Sequence, residues 1–252
     1  TPHLGASTRE AQENVAVDVA EQIRDVLLGL SARTAVNIPG LSPDIMDSLK
    51  PHLQLAETMG LLISQLSGGQ IQKLEVRLQG EFVQHPSQPL IIASLKGLLT
   101  KALGDRINYV NASLEAESRG VSVSESKDEA RPEFASGSLQ LTTYGDTGEH
   151  SVAGSIFADG ELRIISIDQY PVNVSPSRFM LLTRHRDMPG IIGKLGSLLG
   201  DHNVNIASMQ VGRKIVRGEA VMVLSIDDPI PAQLLESILE VEGITSANHV
   251  TL

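Results

Sequence analysis

The fold of the C-terminal part of this chain is decided by the stretch RFMLLTRHRDMPGIIGKLGSLLGDHNVNIASMQV, residues 178–211. Its apolar start, FMLLTR, predicts a β-strand, and GIIGKLGSLLGDH predicts an amphipathic helix. VNIASMQV and EAVMVLSI predict two more strands around a Lys/Arg/Gly turn. PAQLLESILEV, led by Pro231, predicts a second helix, and ITSANHVTL predicts a last strand. The order β-α-β-β-α-β predicts a ferredoxin-like layer, in which a four-stranded antiparallel sheet carries both helices on one face.

The residues before this layer predict a second unit of the α+β class. Apolar spacing indicates one helix over 53–66 and another over 89–103, where Pro89 favours the helix start. Alternation of apolar residues indicates several strands, at 71–78, 121–124, 139–143, 151–157 and 162–167. The stretch ESKDEARPE, 125–133, is charged and has no apolar face, so we expect a loop or an exposed rim there.

The start of the chain predicts a loop followed by one long helix. Ser7 and Glu10 have the S-x-x-E spacing of a capping box, which starts a helix. A helical apolar stripe follows and reaches to about Ser31; its members are Val15, Val19, Ile23, Leu27 and Leu30. Pro and Gly in NIPGLSP, 37–43, indicate a linker. We therefore expect three parts, over 1–41, 42–176 and 177–252.

Composition excludes several classes of function. The chain has 252 residues with a net charge of −10 and only 3% aromatic residues, which argues against nucleic-acid binding. It has no cysteine, so disulfides, thiolate catalysis and cysteine-bound metals are excluded. No apolar run approaches the ~18 residues that a membrane-spanning helix needs. We expect no membrane partner, and a location in the cytoplasm or, in a eukaryote, the plastid stroma.

Two motifs suggest chemistry that the rest of the sequence does not support. LSGGQIQK, 66–73, matches the signature peptide of ABC-transporter ATPases, but the chain has no G-x-x-x-x-G-K-[ST] phosphate loop to work with it. We interpret Gly68 and Gly69 as the end of a helix that turns into a strand at Ile71. The seven histidines show no H-x-x-x-H spacing, so we expect no metal site.

Several segments together resemble a known enzyme family. TPHLGAST, 1–8, followed by E-x-x-x-x-V-A, resembles the closing active-site motif of D-2-hydroxyacid dehydrogenases. VNIPG, KPHLQLAETMGLL, NYVNA and HRDMPGIIGKLGSLLGDHNVNIASMQVGR resemble, in this order, segments of the long-form D-3-phosphoglycerate dehydrogenases. The resemblance implies the C-terminal part of such an enzyme. It comprises a remnant helix of a Rossmann-type catalytic domain (1–41), an intervening α/β-sandwich domain of the allosteric substrate-binding type (42–176) and an ACT regulatory domain (177–252).

The resemblance also implies roles in catalysis. The family converts 3-phosphoglycerate to 3-phosphohydroxypyruvate with NAD, as the first step of L-serine biosynthesis. His3 would be the acid/base group, since the ordinary pKa of imidazole lies near working pH. His3, Leu4, Gly5 and Ala6 match the stretch that contacts NAD. No G-x-G-x-x-G fingerprint occurs in the chain, so we interpret the chain as a fragment and expect it to be inactive by itself.

The segment RHRDMPG predicts a site for a small zwitterion. Asp187 can accept from an ammonium group, amides beyond Gly190 can face a carboxylate, and Asn205 offers both a donor and an acceptor. By resemblance the effector is L-serine, held by His185, Asp187 and Asn205 where two ACT domains pair in a homo-oligomer. Two other functions stay open, a stand-alone ACT-type amino-acid sensor and an oligomerisation module without catalysis.

The resemblance further implies an anion site near the junction of the intervening and ACT domains. Arg163 matches a basic position of that site. Ser175 stands where the next basic residue is expected, and Arg178 follows three residues later. We therefore expect Arg163 to be a solvated residue of a strand.

Overall fold

The computed structural model describes residues 7–27, 43–130 and 136–252. They belong to two compact units that divide between Lys50 and Pro51. The division expected from the sequence, at 41 and at 176, stays a prediction, because residues 37–42 of the linker lie outside the described residues.

The N-terminal unit contains α1, Arg9–Leu27. Its N-cap is Thr8, whose Oγ1 accepts the backbone N–H of Ala11 at 3.2 Å. The capping box expected from Ser7 and Glu10 is therefore wrong by one residue. The helix begins at Arg9, which makes Thr8 the N-cap and Ala11 the third helical residue, the position that a cap side chain reaches.

The apolar stripe of α1 lies at the surface of its unit. Val15, Val19 and Ile23 are each about half exposed, and Val17 is more exposed still. A helix with a stripe of this kind normally buries it, because burying each such side chain is worth about 1.5–3 kcal/mol. The predicted end of the helix near Ser31 lies outside the described part of the chain.

Six strands form the first sheet of the larger unit, in the spatial order β2-β1-β3-β4-β5-β6. β1 and β2 run parallel, and all other neighbours run antiparallel. The strands are β1 Ile71–Gly80, β2 Ser122–Asp128, β3 Gly137–Gly145, β4 Gly148–Ile156, β5 Leu162–Ile167 and β6 Tyr170–Val174. The helices are α2 Pro43–Ser67, which the unit boundary divides, α3 Ser87–Leu103 and α4 Ala112–Ser118, with short 3-10 helices at Glu81–Gln84 and Gly104–Arg106.

The sheet and its two long helices share one apolar core. The alternation predicted for β1 is confirmed, because Leu74, Val76 and Leu78 are fully buried. The predicted helix over 53–66 is the larger part of α2, and Leu55 and Met59 on it are fully buried as well. Burial of these side chains positions the helices on the sheet, since removal of apolar surface from water is the main driving force for packing.

α2 and α3 cross at two glycines with almost no space between their backbones. A Cβ on Gly60 would lie 2.2 Å from the carbonyl oxygen of Ser94. A Cβ on Gly97 would lie 2.0 Å from the carbonyl oxygen of Glu57. The two contacts are reciprocal, because Gly60 of α2 meets the backbone of α3 and Gly97 of α3 meets the backbone of α2. Only glycine permits this distance between the helix axes.

The structure decides between the alternatives for one charged stretch and adds two elements. Residues 125–128 of ESKDEARPE belong to β2, a largely exposed edge strand, which agrees with the exposed rim and not with the loop, and residues 131–133 lie outside the described chain. β2 pairs with β1 along its whole length, and these backbone hydrogen bonds outweigh the polar side chains. α4 and β6 were not predicted, because α4 has only seven residues and β6 only five, and the alternation in β6 includes Pro171, which is unfavourable inside a strand.

The interpretation of LSGGQIQK as a helix end is confirmed. α2 ends at Ser67, and Gly68 and Gly69 both have positive φ, 47° and 69°. β1 begins two residues later, at Ile71. The peptide is therefore a tight connection between a helix and a strand, of the kind that glycine in the left-handed region makes possible.

The ferredoxin-like layer predicted for the C-terminal part is confirmed. Its elements are β7 Phe179–Arg186, α5 Ile191–Asp201, β8 Ile206–Arg213, β9 Glu219–Ile226, α6 Ala232–Leu239 and β10 Ile244–Thr251. The sheet has the order β10-β7-β9-β8 with all neighbours antiparallel. Leu195 of α5 and Leu234 of α6 pack with Leu181 and Leu224 of the sheet in one buried cluster, so both helices cover the same face.

The two sheets of the larger unit contact each other directly through β6 and β8 and are also connected through α2. The side chain of Gln65 donates from Nε2 to the carbonyl oxygen of Thr251 at 2.9 Å and accepts the Thr251 N–H at 3.0 Å. This pair of hydrogen bonds satisfies backbone groups on β10, an edge strand of the four-stranded sheet. α2 thus forms hydrogen bonds with one edge of that sheet.

Candidate functional site

The residues that the resemblance connects to catalysis and NAD lie outside the described residues. His3, Leu4, Gly5 and Ala6 precede Ser7, the first residue that the structure describes. Their roles stay predictions. The chain has no G-x-G-x-x-G sequence with which to hold a pyrophosphate, so its own residues do not make a complete dinucleotide site.

His185 lies near the C-terminal end of β7 and is buried. Its Nδ1 atom has no hydrogen-bond partner among the described residues. Burial lowers the pKa of His185, although the nearby charge of Asp187 opposes the effect. The imidazole is therefore neutral at pH 7, with one nitrogen that a ligand group could satisfy.

Asp187 already has two donors within the chain. Nη1 of Arg213 donates to its Oδ2 at 2.8 Å, and the backbone N–H of Arg217 donates to the same oxygen at 3.1 Å. These hydrogen bonds, with that of Arg213 first, hold the pKa of Asp187 below its ordinary value. The sequence prediction missed both arginines. The basic turn RKIVRG between two predicted strands was the available signal.

The start of α5 lies beside these residues. Gly190 precedes the helix with φ 89°, and no side chain caps the first turn. The amides of that turn can therefore face an anionic group, as the sequence prediction required.

Asn205 lies at the opposite end of the sheet. Its side-chain Nδ2 donates to Oδ2 of Asp227 at 2.7 Å, and its backbone carbonyl oxygen accepts the backbone N–H of Asp227 at 3.2 Å. The amide side chain is thus fixed by the segment that follows β9. Asp227 is a partner that the sequence prediction did not include.

The register of the strands gives the separation between the two ends. His185 of β7 and Arg213 of β8 both lie opposite Ala220 of β9. Ile206, next to Asn205, lies opposite Ile226. Six residues of a strand span about 20 Å. Within one chain the structure therefore brings His185 and Asp187 together but not Asn205, so a site that uses all three needs two chains.

A second polar cluster lies where the two sheets meet, and the sequence prediction did not foresee it. Asp168 stands in the turn after β5 with φ 47°. Its Oδ1 accepts the N–H of Ser151 at 2.8 Å, while Oδ2 lies 3.3 Å from Nδ1 of His150 and accepts a hydrogen bond from Arg184. Burial would raise the pKa of Asp168, but the hydrogen bonds from His150, Ser151 and Arg184 outweigh it and lower the pKa.

Arg163 differs from the expectation of a solvated strand residue. It lies in β5, pairs with Glu161 through Nη2, and stacks over the ring of Phe157 with 6.0 Å to the centroid. Its Nε is buried and has no partner in the described chain. The side chain is therefore largely covered, because the strand holds its stem against Phe157.

Two further findings concern metals and membranes. Among the described residues, no group of three or more His, Cys, Asp or Glu side chains could hold a metal ion. In the same part of the chain, no helix is long and apolar enough to cross a membrane.

Comparisons with known proteins agree with the fold. A family model described as the D-3-phosphoglycerate dehydrogenase intervening domain matches residues 48–168, and one described as the ACT domain matches residues 179–243. The predicted resemblance is thus confirmed. The four-stranded layer is called the ACT domain below, and the six-stranded sheet with its helices is called the intervening domain.

Several proteins named D-3-phosphoglycerate dehydrogenase match nearly the whole chain. The protein of Synechocystis sp. is 61% identical over 100% of this chain and 46% of its own length. That of Archaeoglobus fulgidus is 39% identical over 100% of this chain and 48% of its own. A chloroplastic protein of Arabidopsis thaliana, D-3-phosphoglycerate dehydrogenase 2, is 34% identical over 97% of this chain and 42% of its own. The chain thus spans about half the length of these relatives.

Proposed function

This chain belongs to the D-3-phosphoglycerate dehydrogenase family, whose C-terminal part it matches, and we propose that it is the regulatory half of such an enzyme. The enzyme would oxidise 3-phosphoglycerate to 3-phosphohydroxypyruvate with NAD at the start of L-serine biosynthesis. The observation that carries this proposal is the continuous match over an intervening domain followed by an ACT domain. The compartment, cytoplasm or plastid stroma, stays a prediction.

His3 would serve the enzyme as its acid/base group, beside a nicotinamide that His3, Leu4, Gly5 and Ala6 contact. Bound NAD would supply the hydride acceptor. The sequence of this chain has no glycine-rich cradle for its pyrophosphate. The purified chain of 252 residues should not reduce NAD in the presence of 3-phosphoglycerate, because hydride transfer needs an oriented cofactor and substrate. Measurable NADH formation would contradict this part of the proposal.

We propose that the ACT domain binds L-serine between two copies of the chain. Residues 207–210 of β8 are exposed, and β8 is an edge strand of the ACT sheet, although its end at Gly212 lies against Pro171 of β6. Unpaired edges of this kind favour pairing. In a two-fold antiparallel pairing of β8 with itself, the start of one strand lies beside the end of the other. Asn205 of one copy would then approach Asp187 and His185 of the second copy. Pairing would thus bring together residues that lie about 20 Å apart within one chain.

Groups for each part of the amino acid would then meet at one place. Asp187 would accept from the ammonium group, and Asn205 and the first-turn amides of α5 would donate to the carboxylate. Nδ1 of His185 has no partner in the described chain but is buried, so a hydrogen bond with the hydroxyl group of serine requires this atom to become accessible. Because Arg213 already donates to Asp187, serine must share or replace that contact. Binding to paired ACT domains would favour the paired form, since a ligand shifts an equilibrium only by its differential affinity.

Calorimetry with the purified chain tests the serine site without any catalysis. Light scattering should first show a dimer or a larger assembly. We expect heat of binding with L-serine that is lost in both Asn205→Ala and Asp187→Ala, whereas Asp201→Ala, an exposed position at the end of α5, should leave it unchanged. Absence of binding heat with the dimeric wild-type chain would leave the ACT domain as an oligomerisation module. A chain that stays monomeric at high concentration would contradict the paired site.

A further inference from the structure

A cavity of about 170 Å³ lies between the intervening sheet and the ACT sheet. Its polar wall includes His150, Asp168, Arg184, Ser246 and Asn248. None of these five residues belongs to the serine site proposed above. The cavity therefore needs an explanation of its own.

Several polar atoms of this wall have unused hydrogen-bonding capacity. Arg184 uses only Nη2, in its bond to Asp168, so Nε and Nη1 have no partner in the described chain. Nδ1 of His150 lies 3.3 Å from Oδ2 of Asp168, and Nε2 of His150 has no partner in the described chain. Asn248 donates to the Gln65 carbonyl oxygen at 3.4 Å and keeps its own oxygen as an acceptor.

The charges of the wall select the class of ligand. The side chains of Asp168 and Arg184 are 10% and 39% exposed, so a negative and a positive charge stand side by side partly out of water. A ligand with a net negative charge would add an uncompensated charge beside Asp168, and a cation would compete with Arg184 for it. Either carries a cost at a site that is partly shielded from water. A zwitterion leaves the site neutral.

We propose that this junction cavity binds a small α-amino acid, with its carboxylate on Arg184 and its ammonium group among Asp168, His150 and the oxygen of Asn248. The volume corresponds to about five or six water molecules at ~30 Å³ each. Glycine, alanine and serine are of suitable size for this volume. The bound amino acid contacts both domains and so stabilises their junction. The proposal does not rest on serine binding between ACT domains, because it uses other residues.

Methyl NMR of the full chain tests the proposal, since Ile167, Leu182 and Val221 line the cavity with methyl groups. L-alanine and L-serine should shift these methyl signals in a saturable manner. L-lactate, which has the size of alanine but no ammonium group, should bind at least about tenfold more weakly, because it lacks the charged donor to Asp168. Silent methyl signals up to the solubility limit of L-alanine, or equal binding of L-lactate, would overturn the proposal.

Three variants locate the binding. Arg184→Met removes the cation and should weaken L-alanine binding by about tenfold or more. Ser246→Leu fills the cavity without changing a charge and should abolish the methyl shifts. This second variant tests the site even if Arg184→Met does not fold. Asn205→Ala disables the proposed serine site but should leave the L-alanine shifts intact. Persistence of the shifts in Ser246→Leu, or their loss in Asn205→Ala, would show that the amino acid binds elsewhere and would refute the site.

Discussion

Replacement of Gly97 by alanine should force α2 and α3 apart. The new Cβ would lie 2.0 Å from the carbonyl oxygen of Glu57 and 2.8 Å from the backbone nitrogen of Leu61. Both neighbours are backbone atoms, so no change of rotamer relieves the contact. Because non-bonded carbon contacts are optimal near 3.5 Å, the helices would have to separate by roughly 1.5 Å.

The cost of this separation follows from the core that the helices share. A gap of about 0.5–1 Å already loses a quarter to a half of the dispersion attraction across an interface. Inserting atoms into a packed core typically costs about 1–3 kcal/mol, and the backbone contact places Gly97 at the upper end. Alanine recovers up to about 1 kcal/mol through its better helix propensity. A net loss of about 2–3 kcal/mol corresponds to a Tm lower by about 4–12 °C for a domain of this size.

Thermal and urea unfolding followed by circular dichroism measure the effect. Gly196→Ala is the matched control, because Gly196 lies in the middle of α5 with nothing within 4 Å of its Cβ position. This control should gain up to about 1 kcal/mol from helix propensity. Gly60→Ala, at the reciprocal contact, should be destabilised like Gly97→Ala. If Gly97→Ala were as stable as the wild-type chain, the close crossing of α2 and α3 would be wrong.

Further predictions concern pH, capping and the junction. The pKa of Asp168 is lower in the folded than in the unfolded chain. The ionised carboxylate therefore contributes its full stabilisation above the unfolded pKa of about 3.9. This stabilisation is lost as the pH falls through the folded pKa. The stability difference between wild type and Asp168→Asn should thus shrink as the pH falls below about 4 in urea titrations; a difference that grows between about pH 4 and pH 2 would contradict this. Thr8→Ala should cost α1 about 1 kcal/mol, measured as lost helicity, while Ser7→Ala should have no effect; equal effects would contradict the assignment of the cap. Gln65→Met keeps the apolar stem but removes two hydrogen bonds to Thr251, so hydrogen exchange of β10 should accelerate, and unchanged exchange would contradict the role of α2 at this edge.

The sequence by itself determined the ferredoxin-like layer and most of the intervening domain. The spacing of apolar residues in FMLLTR and around Leu74 distinguishes a strand from a helix, because the apolar face that the spacing marks must be buried. The paired glycines of LSGGQ favour the end of a helix, since their backbone enters the left-handed region without strain, and α2 ends there. The order of the segments was enough to recognise the family, and the comparisons confirm it.

Only the tertiary structure decided what those elements bring together. The separation of Asn205 from Asp187 depends on the strand order of the ACT sheet, which no local pattern encodes. Arg213 donates a hydrogen bond to Asp187, and Arg184 donates one to Asp168. The members of each pair are distant in sequence or belong to no motif. β2 is a strand although its sequence is charged, because β1 supplies the hydrogen bonds for its backbone. Local periodicity reports which surfaces must be buried, whereas partners for polar and charged groups arise only when the folded chain brings distant segments within hydrogen-bonding distance.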